Sequence, residues 1–104
     1  MTDITRLRGE LIARILGSTG TAPKVLRQNA FENTDLDEPI RSLVEKVAHH
    51  ADAVTDDDIA AARSTGLDED QIFEIVVCAA VGQADRQYAS ALDALARVTG
   101  GDRR

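Results

Sequence analysis

Sulfur and aromatic rings are scarce in this chain, and each scarcity excludes something. There is one cysteine in 104 residues. A single thiol excludes an internal disulfide and fits a reducing compartment. Aromatic residues make up 3% of the chain, and Phe31, Phe73 and Tyr88 are the only large rings. The core must therefore be built from Ala, Val, Ile and Leu, whose small faces let helices approach closely. No apolar run nears the ~20 residues of a membrane span. The opening "MTDITRLRGEL" has no signal-like apolar region. Positive charge is also in deficit, with 12 Lys and Arg against 18 Asp and Glu and a net charge of -6. Without a basic stripe, the phosphate contacts that dominate nucleic-acid affinity cannot form. These absences predict a soluble, cytoplasmic protein with neither membrane nor nucleic acid as partner.

What is present reads as helix. A length of 104 residues predicts one domain over residues 1–104. Oligomerisation is a common way for so small a domain to bury more surface. Thr2 or Asp3 can cap a first helix, with Ile4, Leu7, Leu11, Ile12 and Ile15 at helical spacing. Gly17-Ser18-Thr19-Gly20 stops it. Pro23 suits the first turn of a second helix, with Val25, Leu26, Ala30 and Phe31 inward. Asp37 is a cap for a third helix, whose stripe is Ile40, Leu43, Val44, Val47, Ala48 and Ala51. Thr55 caps a fourth, with Asp56, Asp57 and Asp58 in the first turn, where free N–H groups favour carboxylates. Gly66 is a natural left-handed stop. Asp68 and Gln71 form an approximate capping box for the last helix. That helix runs from Glu69 to about Thr99, roughly 45 Å at ~1.5 Å per residue, and Gly100-Gly101 ends it. Its first half, Ile72 to Val81, is apolar almost all round, which predicts burial on several sides. Its second half sets Tyr88, Leu92, Leu95 and Ala96 against Asp85, Arg86, Asp93 and Arg97. No strand signal or repeat occurs. The expected fold is all-α, with about five helices.

The stretch "VTDDDIAAARSTGLDEDQIFEIVVCAAVGQADRQYASALDAL" resembles the alkylhydroperoxidase D-like, or carboxymuconolactone decarboxylase, superfamily. The shared features are a helix ending in a Gly-Leu turn, an acidic "EDQI" start, and a long Ala/Val-rich helix. The resemblance implies the alkylhydroperoxidase D-like helical fold. Redox members carry a CxxC pair followed by His on the helix before the Gly-Leu turn. Those places fall near Ala51, Val54 and Asp58 here. Resolving an oxidised thiol through a second thiol needs two sulfurs, and this chain has one. It is therefore similar to a member that has lost the peroxidase centre. Decarboxylase members also lack the pair, so that branch stays open.

Four residues are candidates for chemistry. Glu45 and His49 are four apart on one helix face, so a carboxylate can orient an imidazole as a proton relay. The plain alternative is a solvated face near a helix end. His49 and His50 diverge by about 100° and make a poor chelate, so no metal is expected. Lys46 neighbours His50. The run Asp56-Asp57-Asp58 lacks calcium-loop spacing and is read as capping. Cys78, in "IVVCAAV", has no Lys or Arg within one turn and is read as a small buried hydrophobe. Its functional alternative is a single-cysteine peroxide reductant. Arg86 follows the apolar run and is expected to anchor an interface or pocket. Its candidate partners are Glu74, Asp85 or a second subunit. No cofactor is expected. Two functions remain open: a homo-oligomeric binding or structural protein with a small acidic or apolar ligand, or an enzyme using Glu45 and His49, or Cys78.

Overall fold

A computed structural model describes residues 2–17 and 20–102, with side chains over 6–17 and 20–99. It is all-helical: α1 (Thr2–Leu16), α2 (Lys24–Glu32), α3 (Ile40–His49), α4 (Asp56–Arg63) and α5 (Glu69–Asp102), with a 3-10 turn at Ala51–Ala53. Among the described residues there is no strand. The long axis is 57 Å, against 28 and 21 Å in the other directions, because α5 is 34 residues long.

The helix starts follow local chemistry. Thr55 caps α4 through a full capping box: its hydroxyl accepts from the Asp58 N–H, and the Asp58 carboxylate accepts from the Thr55 N–H. Asp68 and Gln71 exchange the same pair of bonds at the start of α5, at 2.8 and 2.9 Å. Gly66 has φ +101°, the left-handed conformation expected of it. At α3 the expected Asp37 cap gives way to Glu38. The Glu38 carboxylate accepts from the Ser42 N–H at 3.1 Å and its hydroxyl at 2.6 Å, because Pro39 occupies the N-cap position. The expected side-chain caps Thr2 and Asp3, the core residue Ile4, and the stop residues Ser18 and Thr19 lie outside the described residues or side chains. The α5 helix runs through Gly100 and Gly101 to Asp102. Glycine lowers helix stability by only about 1 kcal/mol, and ends a helix only where the chain turns left-handed.

The core lies where α2, α3 and α4 meet the first half of α5. Leu43 and Val44 of α3 pack with Ile75, Cys78 and Ala79 of α5, Ala30 of α2 and Ala62 of α4. Each large aliphatic side chain so buried contributes ~1.5–3 kcal/mol. Gly82 is buried where α2 crosses α5. A Cβ there would overlap the Phe31 carbonyl oxygen and lie 2.7 Å from the Phe31 carbonyl carbon. Two expectations about faces are corrected. Val25 is 71% exposed, while Arg27 is buried, because Arg27 and Ala30 share the inward face of α2 and Val25 does not. On α1, Leu7 and Leu11 are exposed, whereas Ile12 and Ile15 are half-buried. Only the side of α1 that carries Arg8, Ile12 and Ile15 turns toward α5.

Candidate functional site

The segment between α1 and α2 is gripped from two sides. Arg27 of α2 is 3% exposed. Its Nε donates to the Ala22 carbonyl at 3.1 Å, and its Nη1 donates to the carbonyls of Ile15, at 3.0 Å, and Gly17. Those last two carbonyls belong to the end of α1, whose final C=O groups have no partner inside the helix. Glu74 of α5 grips the other polarity. Its carboxylate accepts from the Thr21 N–H at 3.0 Å, the Thr21 hydroxyl at 2.7 Å and the Ala22 N–H at 3.0 Å. Burial alone would raise the Glu74 pKa, but these hydrogen bonds and the Arg27 charge outweigh it and hold the group below the usual carboxylate range. Gly20 fits between the two. A Cβ there would overlap Glu74 Oε1 and lie 3.0 Å from Arg27 Nη1.

Beside this grip lies a cavity of about 270 Å³, lined by Arg14, Ile15, Gly20, Arg27, Phe73, Glu74, Val77 and Cys78. Its walls are mostly aliphatic and aromatic, with two guanidinium groups and one carboxylate. The three Arg27 bonds to backbone run through Nε and Nη1, not Nη2. Cys78 is 1% exposed. Burial pushes its thiol up, Arg27 opposes that shift, and Glu74 adds to it. The cation near Cys78 therefore comes from α2, far away in sequence, not from α5 itself.

The other three candidates lie elsewhere. His49 Nε2 is 3.3 Å from Glu45 Oε2, with both side chains about half exposed. Asn33 Nδ2 donates to Glu45 Oε1 at 3.1 Å, which fixes the carboxylate. Asn33 reaches it from a left-handed conformation, φ +54°. His49 and Arg86 line one open groove with Asn33 and Gln83, so three of the four candidates share a neighbourhood and Cys78 does not. Arg86 donates from Nη1 to the Phe31 carbonyl at 2.6 Å and from Nη2 to Gln83 Oε1 at 2.9 Å. Within one chain its partners are thus a backbone carbonyl near the end of α2 and a neighbour on α5, not Glu74 or Asp85. Asp85 instead pairs with Arg8 of α1, whose guanidinium sits 4.7 Å from the centre of the Tyr88 ring.

Sequence reasoning missed Arg27, Glu74 and Gly20. One signal was available. Arg27 stands four residues after Pro23 and three before Ala30, at core spacing on a short helix. The Lys46 and Asp58 side chains join α3 to α4 at 2.9 Å, so Asp58 serves as both cap and tether. Among the described residues, no group of three or more His, Cys, Asp or Glu is placed to hold a metal ion. No helix among them is long and apolar enough to cross a membrane. Comparison with known proteins finds no matching family model, no matching curated protein and no matching solved structure.

Proposed function

We propose that this chain is an alkylhydroperoxidase D-like protein without the CxxC centre, acting as a homo-oligomeric binding protein for a small acid with an apolar body. The observation that carries the ligand reading is the cavity beside Arg27. A buried guanidinium lines a mostly apolar cavity, and Arg14 adds a second cation. Small-ligand sites have this make-up: apolar lining with a few placed polar groups. A carboxylate suits the two arginines. An aliphatic or aromatic body suits Ile15, Phe73 and Val77. Glu74 is already held ionised by the loop, and it leaves the cavity with a net positive charge.

Benzoate and hexanoate are suitable probes, with benzyl alcohol and hexanol as neutral controls. The acids are expected to raise the melting temperature and to shift the amide signals of Glu74, Val77 and Cys78. Val77→Trp fills the cavity and should abolish both effects. Arg14→Ala should weaken binding about tenfold, equivalent to ~1.4 kcal/mol. If the acids and the alcohols behave alike, the reading fails.

A second reading is an enzyme of the carboxymuconolactone decarboxylase type. It is supported by the Glu45–His49 pair, held by Asn33 in the groove that also contains Arg86. A His49→Ala variant that retains full activity on a substrate found by screening would end it.

A further inference from the structure

The outer face of α5 is apolar and has no cover among the described residues. At ~3.6 residues per turn, Phe73, Ala80, Ala84, Ala91, Leu95 and Val98 fall within about 60° of arc. All six are exposed, with Phe73 at 67%, Leu95 at 57% and Val98 at 65%. Between Phe73 and Val98 every charged residue of α5 (Glu74, Asp85, Arg86, Asp93 and Arg97) lies outside that arc. The stripe is graded, with large side chains at its ends and alanine between them.

That grading is self-complementary under a two-fold axis. Two antiparallel copies of α5, related about the point between Asp85 and Arg86, set Ala84 opposite Gln87 and Ala80 opposite Ala91. The same register sets Phe73 opposite Val98. Alanine meets alanine at the two Ala80–Ala91 pairs that flank the centre, each central Ala84 leaves room for the longer Gln87 of the other copy, and large residues cover each other at the ends. No like charges face one another along the stripe. On α1, Leu7, Leu11 and Arg14 share a face, and Arg14 lines the same cavity as Phe73 and Val77, so this face adjoins the stripe and widens it. A helix face ~39 Å long and ~10 Å wide, with the α1 flank, buries roughly 1,000 Å² over two copies. That reaches the lower bound for a specific interface of good fit.

We propose that a second copy of this chain packs antiparallel on the outer face of α5, and that its Leu95 and Val98 close the mouth of the cavity at Phe73 and Val77. The inference rests on the homo-oligomeric reading above and adds its interface, its register and a share in the binding site. Each copy then completes the other's cavity, so ligand binding and association strengthen each other.

Sedimentation equilibrium at micromolar concentration tests it on the intact chain. The wild type should show two chains, or a multiple. Ala84→Glu and Ala91→Glu place carboxylates on exposed helical positions, so each monomer should keep its helical signal and its urea midpoint. Both should weaken association more than about hundredfold, because the new charge is buried without a partner. Register is read by cross-linking. A short bismaleimide should join Ala80→Cys to Ala91→Cys in an equimolar mixture. Neither variant alone should be joined, because like positions lie about 16 Å apart along the axis at ~1.5 Å per residue. A wild-type mass of one chain overturns this interface and the homo-oligomeric reading together. An oligomer that survives both glutamates, or that cross-links Ala80→Cys to itself, overturns the interface alone.

Discussion

Arg27 and Glu74 hold the same stretch of backbone by opposite polarities. Arg27 donates to the carbonyls of Ile15, Gly17 and Ala22, while Glu74 accepts from the N–H groups of Thr21 and Ala22. The arginine is buried and the glutamate only half-buried. Removing the arginine leaves three carbonyls without their donor, one of them buried. Arg27→Met should therefore destabilise more than Glu74→Gln, which keeps one acceptor oxygen. Hydrogen bonds to charged groups are worth about 1.5–3 kcal/mol each, so Glu74→Gln should lower stability by about 1–3 kcal/mol and Arg27→Met by more. Urea unfolding gives both values. The reverse order would mean that the grip depends on Glu74.

Gly82 and Gly9 make opposite predictions from the same substitution. A Cβ on Gly82 collides with the Phe31 backbone, which cannot move aside as a side chain can. Gly82→Ala must push α2 off α5, breaking the Arg86 bond to Phe31 as well. Destabilisation of about 3 kcal/mol or more is expected. Gly9 lies inside α1, and a Cβ there meets nothing within 4 Å. Gly9→Ala should stabilise by about 0.5–1 kcal/mol. Thermal unfolding of the two variants checks the pair, and a neutral Gly82→Ala would show that the α2–α5 crossing is not tight.

Much of the fold was legible because it is written locally. Thr55, Gly66, Asp68 and Gln71 act through neighbours three or four residues away, and all do in the structure what their spacing predicts. The site was less legible, because its bonds join distant segments. Glu74 meets Thr21 across 53 positions, and Arg86 meets Phe31 across 55. No periodicity reports such a pairing. Periodicity marks Ile72–Val81 as apolar almost all round but does not say which faces this chain itself covers. The chain buries Ile72, Ile75, Cys78 and Ala79 and leaves Phe73 and Ala80 outside. An isolated helix pattern records which faces are apolar, not which are covered.

Asp58 gives the fold a defined acid response. Its carboxylate accepts from Lys46 Nζ at 2.9 and 3.0 Å, and from the N–H of Thr55 at 2.9 Å. The Lys46 bond first, and the Thr55 N–H second, hold its pKa below the ordinary carboxylate value. Glu74 is shifted the same way. A depressed folded pKa means the unfolded chain binds protons first as pH falls. The stability from these groups is fully present above the ordinary carboxylate range of about pH 4, and is lost as pH falls through the folded values. Asp58→Asn should be less stable than wild type at pH 7 and lose less on going to pH 3. Thr55→Ala should cost about 1 kcal/mol at neutral pH through the cap. Urea midpoints at the two pH values test both, and equal losses in wild type and Asp58→Asn would remove the tether from the account.

Cys78 should be silent in the folded protein. A reactive thiol needs access and a lowered pKa; Cys78 is 1% exposed, and burial pushes its pKa up despite Arg27. Ellman's reagent should react with it fully in denaturant and only through rare opening in buffer. Hydrogen peroxide should leave the Cys78 peptide unoxidised, whatever it adds to Met1. Substitution separates packing from chemistry. Cys78→Ala removes a sulfur from a packed site and should cost about 1–2 kcal/mol. Cys78→Ser keeps the size but buries a hydroxyl among Ile75, Ala79 and Val77, and should cost more wherever that hydroxyl finds no acceptor. The nearest charged acceptor is Glu74, one turn earlier on α5, whose oxygens already serve Thr21 and Ala22. A serine variant as stable as wild type would mean that the hydroxyl had found an acceptor, either a backbone carbonyl one turn earlier, as Thr99 does with Leu95, or the Glu74 carboxylate, and only the second would move the amide signals of Thr21 and Ala22. Native Cys78 reacting at close to the denatured rate would instead mean that the cavity floor is open to solvent, and the Arg27 charge would then favour the thiolate.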